Sequence, residues 1–260
     1  MNPIRPTYLP LSALALAALL ALPAQAGDDI APPVTPYRPS VSNPAQLPAP
    51  GQLELELGGL SARTGTGQRD SLPYTFKLAF SDEWGVLLGG EAAVAQPNDG
   101  GVRAHGIGDT ALVLKRAWTL DSETAYGLEL GTKLPTAKDS IGSGKADYTL
   151  NSIYSKDYGQ LHMDANFNLT RLGAVDTGAR TQSGLSASFS IPLSERWGAT
   201  GELSGTHRRG AGDTAQLLLA AAYSPSKRLV FDCGLAKGLN RASDDWSVFG
   251  GVVLPLARLW

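Results

Sequence analysis

The chain has 260 residues, 30 of them glycine, with 18% charged residues and a formal net charge of −2. That balance offers no basic surface for nucleic acid, and a single cysteine, Cys233, excludes an intrachain disulfide and a multi-cysteine metal centre. After the N-terminus no stretch approaches the run of about 20 apolar residues that a membrane helix needs, which leaves a soluble exported protein or a barrel that crosses with strands.

Residues 1–26 read as a signal peptide. Arg5 supplies the positive start, and Leu11–Leu22 (LSALALAALLAL) is an apolar run too short to span a bilayer. Ala24-Gln25-Ala26 fits a small-x-small cleavage pattern that makes Gly27 the first mature residue. No cysteine follows the cleavage site, which argues against a lipoprotein, and an uncleaved anchor is the rival reading. Residues 27–50 (GDDIAPPVTPYRPSVSNPAQLPAP) are too rich in proline for a helix or a central strand. They are expected to form a flexible or polyproline-like periplasmic extension. The alternative is a plug inserted into a barrel, though the stretch is short for a large lumen.

From Gly51 onward the pattern switches to period two, the mark of strands with two unlike faces. Gln52–Leu57 alternates, as does Tyr74–Phe80. In Leu161–Leu169 one face carries Leu161, Met163, Ala165, Phe167 and Leu169, the other His162, Asp164, Asn166 and Asn168. A sandwich alternates in the same way, so the connections decide. Short polar turns are expected at Ser81–Glu83, Leu120–Thr124, Ser155–Asp157, Ser194–Arg196 and Ser224–Lys227. Longer glycine-rich loops are expected at Ala62–Ser71, Pro97–Gly106, Pro135–Lys145, Leu172–Thr181, His207–Gly212 and Leu239–Asp245. Short turns at one end and long loops at the other are how bacterial outer-membrane barrels are built. Trp84, Trp118, Tyr126, Tyr154, Tyr158, Trp197, Tyr223 and Phe231 all fall beside the short turns, where a girdle of amphipathic rings would meet the membrane interface. The fold expected is therefore an all-β transmembrane antiparallel barrel of about twelve strands over residues 51–260, with both termini periplasmic. Thr110–Trp118 fits least well, since neither of its faces is cleanly apolar.

At the C-terminus Val252, Leu254, Leu256 and Trp260 share one face. This resembles the terminal signal read by the machinery that inserts outer-membrane barrels, with Arg258 standing where an apolar residue is expected. Assigning the more apolar face of every strand to lipid leaves Glu54, Glu56, Lys77, Glu91, Asp109, Lys115, Glu129, Lys133, Asp147, His162, Asp164, Asn166, Glu202 and Asp232 as lumen-lining candidates. Cys233 falls on the lipid face, as does Arg116, whose position near a short turn lets it snorkel. The nine carboxylates against three lysines in that set would favour cations in an open pore. The alternative is a polar network that fills the interior. Asp109 and Asp147 sit at the long-loop ends of strands, where a carboxylate can accept backbone N–H bonds and fix a loop, or line a mouth.

Catalysis finds little support. His105 and His207 lie in long loops; His162 has Asp164 on its own face, a generic proximity that fits an ion-paired lumen histidine. No nucleophile elbow, zinc-type histidine pair or phosphate loop is present. No enzyme activity, cofactor or metal is expected.

Several short motifs carry a resemblance: Gly106-Ile-Gly-Asp109 opening a strand, Leu134-Pro-Thr136 before a long loop, and Gly142-Ser-Gly144 followed by Asp147. Tyr154-Ser-Lys156 with Leu161–Leu169, Glu202 within Gly201–Gly205, and Gly238–Gly251 extend it. Together they resemble the outer-membrane barrel family named for the meta-cleavage pathway of phenol degradation, over most of Gly51–Trp260. The resemblance implies passage of small, aromatic or apolar molecules across the outer membrane of a Gram-negative-type bacterium, and supplies no catalytic residues. The partners expected are outer-membrane lipid, the insertion machinery acting on the strand that ends in Trp260, and a small-molecule solute. The rival readings are a closed structural or adaptor barrel that binds a partner through its loops or N-terminal arm, and an outer-membrane hydrolase.

Overall fold

The structure, a computed structural model, describes residues 31–65, 67–98 and 102–260. The signal-peptide reading, the cleavage near Ala26 and the first residues of the proline-rich stretch lie outside them. Among the described residues there is no helix. There are thirteen strands: β1 (Gln52–Thr64), β2 (Gly67–Ala79), β3 (Trp84–Gln96), β4 (Ala104–Gly106), β5 (Thr110–Thr119), β6 (Thr124–Leu134), β7 (Asp147–Tyr158), β8 (Leu161–Arg171), β9 (Thr181–Pro192), β10 (Trp197–His207), β11 (Thr214–Ser226), β12 (Leu229–Gly238) and β13 (Trp246–Arg258).

Strands pair antiparallel with their chain neighbours, except that β4 and β5 both pair with β3, and β1 pairs with β13 as well as with β2, so the sheet closes on itself. Closure pairs both sides of every long strand, the condition for crossing hydrocarbon with strands, and among the described residues only the three-residue β4 has a single partner strand. The wall has twelve positions, because β4 and β5 share one. The outer part of β3 pairs with β4 through Val94↔Gly106, and its inner part with β5 through Gly89↔Ala111. The interruption between them falls on Ile107–Asp109, where the Gly108 N–H donates to the Glu91 carbonyl at 2.9 Å.

The outward face carries an apolar band. Leu112, Leu130, Leu150, Phe167, Leu185, Leu203, Leu219, Leu235 and Val248, each from a different strand, are all exposed. A band of this kind would be a sticky surface in water and is the natural surface against lipid. Tyr154, Tyr158 and Trp197 are exposed near the short-turn end. Ring pairs Trp118–Tyr126 and Trp197–Tyr223 join neighbouring strands there, at 5.5 and 4.8 Å between centroids. Arg116 on the same face is held between Trp84 and Trp118 and pairs with Glu83 at 3.0 Å, so its charge sits at the girdle. Leu130 lies mid-strand and 55% exposed. Leu130→Arg is expected to cost about 2–4 kcal/mol of folding free energy in vesicles, measured by urea titration; an unchanged midpoint would place this face in water.

Three expectations need correction. The stretch Ala62–Ser71 is not a long loop: β1 and β2 extend through it to a tight turn after Thr64. Ion pairs hold the extension, with Arg69 bidentate to Glu91 on β3 at 2.6 Å and Arg103, just before β4, reaching Asp70 at 2.7 Å. The turn expected at Ser155–Asp157 lies instead at Gly159–Gln160, because Gly159 takes the left-handed φ of 63° that the turn needs. Ser155 is then a buried strand residue facing inward. The third concerns residues 32–50. They do not leave the barrel as an extension but enter its lumen.

Candidate functional site

The lumen face of the wall is carboxylate-rich because it holds a segment of the same chain. Residues 32–50 start at the short-turn end, where the Val34 N–H donates to Lys227 O in the β11–β12 turn at 3.0 Å. The segment rises to about mid-height around Val41–Asn43 and returns to β1 at Gln52. A proline-rich strand cannot join a sheet ladder, so its remaining N–H groups need acceptors from elsewhere. The wall supplies them. Glu54 accepts from Thr35 N at 3.1 Å, and Glu56 from Tyr37 N at 2.7 Å and Arg38 N at 3.2 Å. Glu202 accepts from Val41 N and Ser42 N at 2.8 and 2.9 Å, and Ser155 Oγ from Ala45 N at 2.8 Å. Asn43 and Asn166 exchange two bonds, N–H to Oδ1 at 3.0 Å and Nδ2 to carbonyl at 2.8 Å, while Asn43 Nδ2 also donates to Glu129.

Side chains complete the attachment. Arg38 is bidentate to Asp232, with both bonds at 2.9 Å, the geometry in which a guanidinium binds a carboxylate most firmly. Lys77 bridges Glu54 and Glu56 at 3.0 and 2.7 Å and donates to Thr35 O. Lys115 pairs with Glu129 at 3.1 Å and donates to Pro44 O. Glycines on the lumen face make the space. A Cβ on Gly58 would lie 2.7 Å from Arg38 Cζ, one on Gly85 2.8 Å from Leu47 Cδ2, and one on Gly251 2.6 Å from Arg38 Nε. At Gly127 it would come within 3.2 Å of Ala45 Cα. Ala45 packs with Ala125 and Ile153 in a small apolar core.

The structure thus gathers Glu54, Glu56, Lys77, Lys115, Glu129, Asn166, Glu202 and Asp232, all but Asn166 charged and all buried, around residues 35–45. Asp164 joins them indirectly, accepting from the Ser155 hydroxyl. Glu91 and Lys133 stand apart, toward the long loops. Glu91 pairs with Arg69, and Lys133 bridges Asp109 and Asp147 at 3.2 and 3.0 Å. Asp109 accepts from Ala137 N at 3.0 Å and Asp147 from Gly173 N at 2.8 Å, so both anchor long loops. His162 sits at the short-turn end with Nδ1 on Asp157 at 2.6 Å and Nε2 on Asp164 at 3.1 Å. With both ring nitrogens engaged, it has none to spare as a general base.

Two open spaces flank the segment. One, of about 690 Å³, lies toward the short-turn end between Pro36, Pro39, Pro44 and the wall at His162, Ser190 and Thr200. The other, of about 280 Å³, lies toward the long loops, lined by Val41, Asn168, Ser186, Thr206 and Gln216. Along β10 they are separated at Glu202, where the segment's tip meets the wall and Ser42 Oγ donates to Ser186 Oγ at 2.8 Å. Thr35, Tyr37, Arg38, Ser42, Asn43, Ser155 and Ser186 were not among the sequence candidates. The signals that pointed to them were the excess of lumen carboxylates and the lumen-facing glycines.

With the barrel and its contents described, likeness to known proteins can be placed. The family model described as "Putative MetA-pathway of phenol degradation" matches residues 37–256. The chain belongs to this family. The match begins at Tyr37, inside the lumen segment, so segment and wall form one family unit. Among solved structures, an outer membrane channel from Pseudomonas putida F1 is similar at a TM-score of 0.64 and 13% identity, covering 86% of this chain and 100% of that one. The NanC porin is similar at 0.57 and 9% identity, covering 78% and 100%. The CymD monoaromatic hydrocarbon channel follows at 0.53 and 8% identity, covering 80% and 89%. No curated protein sequence matches the chain. The fold is that of Gram-negative outer-membrane channels and porins.

Proposed function

We propose that this family member is an outer-membrane channel for small solutes, closed at rest by residues 32–50 and opened when the segment leaves the wall. Both termini lie on the periplasmic side in this reading, and the long loops face outward. The observation that carries it is the placement of the two cavities. They are separated where Val41 and Ser42 reach Glu202 and Ser186, so displacement of the segment would join them. The attachment is mostly polar, and water entering the lumen can replace its hydrogen bonds. Relatives of the same fold are named as channels and porins, which supports transport over catalysis, as does a His162 saturated by two carboxylates.

A specific observation also favours a second reading, the closed structural barrel: the segment satisfies most of the buried lumen charge. The two readings part on one experiment. Ser42→Cys and Ser186→Cys, made together in a Cys233→Ala background, place thiols where hydroxyls now touch. In planar bilayers the oxidised protein is expected to be silent and the reduced protein to pass current. Equal currents in both states would show that the tip does not gate. Silence in both, with folding confirmed, would establish the closed barrel.

A further inference from the structure

Tyr37 stands out from the rest of the segment. Its ring is almost fully buried, and the ammonium groups of Lys77 and Lys115 both lie over it, 4.4 and 4.2 Å from the ring centroid. The hydroxyl donates to Gln46 O at 2.7 Å, within the segment itself. The cations belong to the wall and the ring belongs to the part that moves. Lys77 remains tied to Glu54 and Glu56, and Lys115 to Glu129, through pairs made entirely between wall strands. Withdrawal of the segment therefore leaves both ammonium groups in position, deprived of an aromatic face and of two backbone carbonyls. Cations left uncovered in this way attract the face of an electron-rich ring more strongly than a saturated ring of the same outline.

We propose that Lys77 and Lys115 form a binding site for an aromatic ring of a passing solute, which Tyr37 fills while the lumen is closed. The solute is then a competitor of the segment. It binds the open state better than the closed one and so draws the population toward opening. Arg69 and Lys133, nearer the long loops, offer no equivalent, because Arg69 is held by Glu91, and Lys133 by Asp109 and Asp147, with no ring over either among the described residues. This inference rests on the gated-channel reading and adds the residues that meet the solute and the way it promotes opening.

The test is the open fraction of the full mature protein in planar bilayers, with p-cresol, the tyrosine side chain freed of its backbone, and with 4-methylcyclohexanol, which has the same outline and no π face. p-Cresol is expected to raise the open fraction about tenfold, the scale of a buried cation–π contact, and 4-methylcyclohexanol to leave it unchanged. In Tyr37→Ala the opening response should vanish, since the ring site is then free in both states and has no differential affinity to exploit. A wild-type protein indifferent to p-cresol, an equal response to both alcohols, or a response that persists in Tyr37→Ala would each overturn the proposal. If the Ser42→Cys/Ser186→Cys protein gates on reduction while p-cresol does nothing, the ring site is wrong and the channel stands; if it does not gate, the channel reading has failed first.

Discussion

Lys77→Met is expected to lower the unfolding free energy of the barrel by about 3–5 kcal/mol, the cost of removing one partner from a buried ion pair. Lys77 is fully buried, as is Glu54, and Glu56 is 4% exposed. Among the described residues the lysine is the only cation paired with either carboxylate, with Nζ at 3.0 Å from Glu54 and 2.7 Å from Glu56. Without it two negative charges face each other in the lumen, beside backbone N–H donors that favour their charged forms but cannot neutralise them. The measurement is the urea midpoint of protein folded into vesicles. Adding Glu54→Gln and Glu56→Gln should recover most of the loss, because the amide oxygens can still accept from Thr35 and Tyr37 while no charge remains unpaired. A single variant as stable as wild type would mean that water reaches the pair and the segment seals the lumen poorly at that level.

The wall was readable from the sequence because the bilayer imposes a strict rule on it. Lipid tolerates almost no charge, so every strand must separate its faces, and the period-two pattern from Gln52 to Trp260 follows. Even the weakest stretch, Thr110–Trp118, is a wall strand, with Lys115 turned inward against Glu129 and Arg116 outward among tryptophans. The lumen segment obeys no such rule. Its attachment runs through backbone N–H groups of Thr35, Tyr37, Val41, Ser42, Asn43 and Ala45, which every residue except proline possesses and which leave no mark on side-chain pattern. What was legible was the complement. A wall that buries Glu54, Glu56, Glu129, Glu202 and Asp232 must find donors for them, and three lysines were too few. Gly58, Gly85, Gly127 and Gly251, all on the lumen face, likewise marked the space that Arg38, Leu47 and Ala45 occupy. Ser155 reads as a turn residue because serine, lysine and aspartate in sequence have the composition of a loop. Its hydroxyl is in fact needed to connect Ala45 to Asp164.

Among the segment's attachments, the Arg38–Asp232 pair should contribute most to closure. Asp232 is 6% exposed, and among the described residues Arg38 donates two hydrogen bonds to it. Truncating one partner of such a pair costs about 2–5 kcal/mol, so Arg38→Ala is expected to shift the open-to-closed ratio about 100-fold toward open. Single-channel open probability reads this directly. Adding Asp232→Ala should restore part of the closure, because the closed state then no longer buries an unpaired carboxylate. Gly58→Ala provides a third arm that alters no charge. Its methyl would sit 2.7 Å from Arg38 Cζ, close enough to push the guanidinium off Asp232 yet able to be relieved by a bend in the arginine side chain. Its effect should therefore fall between wild type and Arg38→Ala. If Arg38→Ala gates like wild type while Glu202→Ala opens the channel, closure resides in the tip contact at Val41 and Ser42, and the arginine serves to position the segment below it.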